Sequence, residues 1–163
     1  MNHHLNLEVF YPDSMERVWQ ALTDPSFLSR WLMPADFEPT VGYRYSFQTL
    51  AHKITGEVLE CDGKSRLVYT WDDGESDEPS LVSWSLRPDG DGTRLTLEHS
   101  EFAAPEPYVL IEAHMNWSQA SVALAAVLRM PVPIVYCADE PVIPILERAG
   151  FRQPEKEEAS CQA

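Results

Sequence analysis

The sequence predicts an α+β fold, with an antiparallel sheet of consecutive strands covered by one long helix near the C-terminal end. Three observations predict it. Between Val41 and Ser100, apolar and polar residues alternate in successive runs joined by short turns, which is the pattern of antiparallel strands with one buried and one wet face. From Tyr108 to Arg129 no Gly or Pro interrupts a segment rich in Ala and Leu, so local propensity favours helix. Ahead of the strands, one isolated strand is followed at once by signals for two short helices in tandem.

Each element has its own signal. Leu5 to Tyr11 places Leu5, Leu7 and Val9 on one side against Asn6, Glu8 and Phe10, and Pro12 ends it. Asp13, with Glu16 three residues on, forms a capping box for a first helix whose apolar face is Met15, Val18, Trp19 and Leu22. That helix ends near Thr23. Asp24 then caps a second, with Pro25 at its first position, running to Trp31. Leu32 to Pro39 reads as a loop. The strands follow: Val41–Thr49, with Tyr43, Tyr45 and Phe47 together; His52–Cys61, with Ile54, Gly56 and Val58; Arg66–Trp71, with Leu67, Tyr69 and Trp71. Ser80–Arg87 carries Val82, Trp84 and Leu86 on one face, and Thr93–Ser100 carries Leu95, Leu97 and His99. Asp62-Gly63 and Pro88 to Gly92 mark turns, and Asp72 to Pro79 is an acidic one. At about 100° per residue the long helix gathers Leu110, Ala113, Trp117, Ala120, Leu124 and Leu128 on one face. Glu112, Asn116 and Gln119 fall opposite. His114 and Ser121 lie within the apolar face, where polar groups need partners.

After residue 130 the character changes. Pro131, Pro133, Pro141 and Pro144 break up the apolar runs, Val142 to Gly150 suits one short helix, and Gln153 to Ala163 is polar, acidic and frayed. The expected organisation is therefore one domain over residues 1–130 and a Pro-rich extension over 131–163.

Composition excludes several classes of function. The net charge of −14 opposes binding to nucleic acid or to anionic membrane surfaces, and no apolar run is long enough to span a bilayer. Cys61, Cys137 and Cys161 lack metal-ligand or redox spacing, and Met1-Asn2-His3-His4 has no signal-peptide character, so a reduced, cytoplasmic protein is expected. His3-His4 reads as a mobile terminus. Nucleophile-elbow, phosphate-loop and zinc-protease motifs do not occur.

The layout and residues together resemble the START-like (SRPBCC) superfamily, in its Hsp90-ATPase-activator homologue branch. The resemblance rests on Val18 to Pro25 with Leu28 and Trp31, on Gly42 before an aromatic strand, and on Gly56 to Glu60 followed by Arg66 to Trp71. Ser83 to Leu86, Gly92 to Leu97, and His114 with Trp117 complete it, over roughly residues 5–130. Asn116 stands where that family usually has Gly, and residues 131–163 have no counterpart in it. The resemblance implies a helix-grip: a curved antiparallel sheet wrapped around the long C-terminal helix, two short helices at one end, and a cavity for an apolar or aromatic small molecule.

On that fold, Tyr43, Tyr45, Phe47, Tyr69, Trp71, Trp84 and His99 are expected to face His114, Trp117 and Ser121 across a ligand cavity. The competing expectation is that these aromatics fill the core. His99 and His114 have the chemistry of an acid–base pair or of metal ligands, but a zinc site wants three or four ligands, so hydrogen-bonded core histidines are the plainer reading and no metal or cofactor is expected. Glu57 and Glu98 read as solvated strand charges, and the acidic turn as a solvated hairpin tip without calcium-loop spacing. No catalytic residue is assigned. Small-molecule binding leads. The alternatives are an Hsp90-co-chaperone-like interaction module, whose eukaryotic relatives carry a further N-terminal domain, and a cyclase- or hydrolase-type enzyme using a cavity histidine. The extension could pack over the helix, mediate a homodimer or close the cavity mouth.

Overall fold

The computed structural model describes residues 2–103, 107–129, 135–137 and 140–141. In chain order the elements are β1 (Asn2–Tyr11), α1 (Met15–Thr23), α2 (Pro25–Trp31), β2 (Ala35–Asp36), β3 (Arg44–Gln48), β4 (Lys53–Asp62), β5 (Arg66–Trp71), β6 (Ser80–Asp89), β7 (Gly92–Ala103), α3 (Pro107–Val127), β8 (Val135–Cys137) and β9 (Glu140–Pro141). The strands form one antiparallel order, β2-β3-β4-β5-β6-β7-β1-β8-β9. This is the expected α+β arrangement of a meander, a long helix and two short helices after the first strand. Its core joins the inner faces of the strands, led by Leu5, Leu7, Val58, Leu67, Val82 and Leu95, to Trp117 and Leu124 of α3 and Leu128 just after it.

The local chemistry explains where expected boundaries moved. The first helix is capped by Ser14, whose hydroxyl accepts from the Arg17 N–H at 3.3 Å. Asp13 does not cap it, because its carboxylate accepts from the Ser14 N–H and pairs with Arg17. Glu16 does not reach back either, and instead meets Lys64 at 3.1 Å. Asp24 caps α2 as expected, accepting from the Ser26 N–H and hydroxyl, and these bonds hold its carboxyl below the usual range. The Trp31 indole N–H donates to the Ala21 carbonyl at 2.7 Å and ties the two helices together.

β3 starts later than expected because Gly42, at φ +88°, turns the chain and the Tyr43 N–H closes onto the Thr40 carbonyl. The expected loop from Leu32 to Pro39 contains the two residues of β2, paired to β3. His3 and His4 belong to β1 instead of a mobile terminus. Among the described residues after 130, Val135 and Tyr136 pair with Val9 and Glu8, so β8 adds to the β1 margin of the sheet. The short helix expected over 142–150 and the frayed end after 153 lie outside the described residues.

Two irregularities bend the sheet. One interrupts the β4–β5 register between Val58 and Glu60. The other lies on the β1–β7 pair, where His4 faces Ser100 but His3 faces Phe102. The skipped residue is Glu101, at φ +61°, so it is the extra residue of a β-bulge. β7 continues past it to Ala103, three residues beyond the expected end.

Candidate ligand site

The inner face of the sheet is aromatic, as the alternation predicts, and much of it is packed shut. Tyr45, Phe47 and Tyr69 are buried against Phe37, Phe47 stacked on it and the two tyrosines edge-on, with ring centroids 4.8 Å apart for Tyr45–Phe47 and 5.0 Å for Tyr45–Tyr69. Their polar atoms are already used. The Tyr69 hydroxyl accepts from the Trp84 indole N–H at 2.8 Å, and the Tyr45 hydroxyl donates to the Thr70 carbonyl. Burial pushes both phenols well above their ordinary range, so they stay neutral. Trp84 is buried and meets Trp31 edge-on at 6.1 Å and Trp117 at 5.6 Å. Tyr43 precedes its strand, is half-buried, and donates its hydroxyl to Asp36, away from this cluster.

His99 is the polar centre of the other half. Its Nδ1 accepts from the Trp117 indole N–H at 3.1 Å, and its Nε2 lies 2.7 Å from the Ser80 hydroxyl. The indole can only donate, so Nδ1 holds the lone pair and Nε2 carries the proton. Nε2–H then donates to Ser80, whose own hydroxyl donates to the Trp71 carbonyl at 3.1 Å. A Ser next to a His suggests a nucleophile and its base, but here the ring has no lone pair left to take the serine proton.

Burial pushes His99 down to about 4, with the charge of Asp73 acting the other way. Above pH 6.5 the ring is neutral in both folded and unfolded chains. As pH falls from 6.5 towards 4, the unfolded chain takes up a proton that the folded chain refuses, and stability is lost across that window. The expected loss is roughly 3 kcal/mol. Burial also pushes His114 down, in the same direction. Urea midpoints between pH 7 and pH 4.5 should therefore fall, and less steeply in His99→Gln. Equal slopes for the two proteins would mean that His99 is not held neutral.

The two polar groups in the helix face have different fates. The Ser121 hydroxyl donates to the Trp117 carbonyl at 2.8 Å, while the Ser121 carbonyl accepts from the Tyr11 hydroxyl at 2.8 Å, so Ser121 is a buried anchor between α3 and β1. His114 is half-buried, and its Nδ1 has no hydrogen-bond partner among the described residues.

Open volume lies at one end of this layer, where the first turns of α3 approach β5, β6 and β7, in a cleft of about 410 Å³. Its floor is apolar or internally satisfied: Ile54, Trp71, His99, Phe102, Val109 and Ala113. Its rim is exposed and polar, with Asn116 and Glu112 from α3, Lys53 from β4, and the β5–β6 turn. A more open groove of about 520 Å³ runs over α1 and Phe37, holds none of the ten candidate residues, and includes both partners of the Lys64–Glu16 ion pair. Of those ten, Trp71 and His99 line the cleft, and Phe47, Trp84 and Trp117 pack behind them.

Sequence reasoning missed Ser80, Phe102 and the part played by the acidic turn. Ser80 shares the two-residue period of Val82, Trp84 and Leu86, and that signal was available. Phe102 breaks the period of Leu95, Leu97 and His99. The bulge at Glu101 returns it to the inner face, 4.8 Å from the His99 ring. The turn is exposed as expected, and Asp72 and Asp73 each cap a backbone N–H within it, but it also walls the cleft. Among the described residues, no three His, Cys, Asp or Glu side chains are placed to hold a metal ion, and no helix is long and apolar enough to cross a membrane.

A curved antiparallel sheet holding a long C-terminal helix, with two short helices after the first strand and an opening between sheet and helix, defines the START-like helix-grip class. Residues 13–129 match the family described as Activator of Hsp90 ATPase homolog 1-like protein, and the chain belongs to that family. It is similar to the solved structure of protein MLL2253 from Mesorhizobium loti, with 30% identity over 78% of this chain and 97% of that one, at a TM-score of 0.73. It is also similar to CalU16 from Micromonospora echinospora, with 27% identity over 77% of this chain and 76% of that one, at a TM-score of 0.65. DynU16, a protein in the dynemicin biosynthetic locus, shares the fold at a TM-score of 0.70, with 20% identity over 77% of this chain and 47% of that one. No curated protein sequence matches the chain.

Proposed function

We propose that this chain binds an apolar or aromatic small molecule in the cleft between the start of α3 and the Trp71–His99 end of the sheet. The observation that carries the reading is the composition of the cleft: a recessed apolar floor with polar groups confined to the rim, the usual character of a ligand site. Ala113 supports it, because a small side chain on the helix wall leaves the space open. The hydrogen bonds of His99 favour binding over a hydrolase role, since both ring nitrogens are engaged and the ring is held neutral.

The test is native mass spectrometry of freshly purified protein beside Ala113→Phe. A co-purified or added ligand should give a mass adduct that the larger side chain removes, with affinity lowered at least tenfold. Circular dichroism should show the variant folded. An adduct that survives Ala113→Phe at full strength would place the ligand elsewhere and end this assignment.

A further inference from the structure

The mouth of the proposed cleft is charged with one dominant sign. Asp73, Glu75 and Glu78 approach it from the β5–β6 turn, and Glu112 approaches from α3. All four are exposed, and none is in an ion pair among the described residues. His52 and Lys53 also line the cleft, so among the described residues Lys53 is its one ammonium against four carboxylates. Two separate elements thus present negative charge across the same opening. They are not grouped to hold a metal ion among the described residues, and charge spread across an opening in this way complements a larger organic cation.

Beneath them lies the half-buried ring of Trp71, with Phe102 beside His99. An indole face attracts organic cations, and more strongly once water is excluded. Low-dielectric walls also focus the field of charges at a cleft mouth. Aromatic floor and acidic mouth each favour the same ligand, one with a flat apolar body and a positive end.

Building on the ligand-binding reading above, we infer that the cleft selects organic cations, namely arylalkylamines whose ring packs on Trp71 and Phe102 while the ammonium sits between Glu112 and the acidic turn. Lys53 at the same opening works against this selection, and the four carboxylates outweigh it.

Three probes of one shape separate the claims: tryptamine (cationic), 3-methylindole (neutral) and indole-3-acetate (anionic), titrated by calorimetry at 20 mM and 300 mM salt. Tryptamine should bind at least tenfold more tightly than either of the others at low salt. That margin should shrink at high salt and fall below threefold in the Glu78→Gln, Glu112→Gln double variant, while 3-methylindole binds that variant as it binds the parent. Ala113→Phe should weaken all three. If the neutral or anionic probe binds as well as tryptamine, and Ala113→Phe still weakens binding, charge selection is wrong and the ligand-binding reading stands. If no probe binds at millimolar concentration, or Ala113→Phe changes nothing, both fall.

Discussion

Replacing Trp117 by alanine is expected to cost about 4 kcal/mol of folding stability, the range for truncating a buried Trp. Trp117 is 6% exposed and lies where α3 meets the sheet. Its ring is 5.3 Å from Trp71, 5.6 Å from Trp84 and 5.9 Å from His99. These neighbours come from three different strands, so they cannot collapse together to fill the space. The loss has a polar part as well, because the His99 Nδ1 would lose its donor. Trp117→Phe separates the two. It keeps most of the packing and removes one hydrogen bond, so about 1 kcal/mol should go. Burial is what holds the His99 pKa down at about 4, so it should stay well below its ordinary value in Trp117→Phe, rising only as far as the lost indole N–H had favoured the neutral ring. Urea unfolding gives the first quantity and imidazole NMR titration the second. A loss below 1 kcal/mol in Trp117→Ala would show that the helix is held mainly elsewhere.

Gly56→Val should be nearly as damaging, at about 3 kcal/mol, towards the upper end for overpacking. Gly56 lies opposite Tyr45 in the β3–β4 register. A Cβ there would stand 2.7 Å from the Tyr45 ring edge and hydroxyl, and would also press on the Thr70 carbonyl. The first contact can be relieved by a side chain, but the second is backbone. Gly56→Ala should therefore be rescued only in part by Tyr45→Leu. Calorimetric melting temperatures of the single and double variants decide it. Full rescue would mean that the backbone contact carries no cost.

What was legible in the sequence follows from how local each signal is. Alternation over six or more residues reported β1, β5 and β6 well, and Asp24-Pro25 marked the start of α2, because these signals sit within the element they specify. β2 was not legible, since two residues carry no period and only pairing with β3 makes Ala35–Asp36 a strand. The choice between Asp13 and Ser14 as cap turned on Arg17 capturing the Asp13 carboxylate, a competition between side chains that a motif does not encode. The same division holds for the site. Trp71 and His99 were readable from their strand faces. Phe102 was not, because an extra residue at Glu101 reverses the parity. Nor did the alternation say which aromatics would close upon each other. Tyr45, Phe47 and Tyr69 share their face with Trp71, yet Phe37 packs against the first three, and of the four it is Trp71 that lines the cleft beside α3.

The margins of the sheet have a consequence for assembly. A long bare strand invites a second chain to add to it, and proteins blunt that invitation with short or proline-bearing edges. Among the described residues, both outermost strands are two residues long, Ala35–Asp36 at one side and Glu140–Pro141 at the other. Each offers at most a couple of backbone groups to a neighbour, and Pro141 has no N–H to give. A ten-residue β1 would be a ready template for fibrils, but it is paired along β7 and meets β8 at Glu8 and Val9. The two outermost strands are therefore poor templates for a second chain, whereas along β1, β8 covers only Glu8 and Val9 among the described residues.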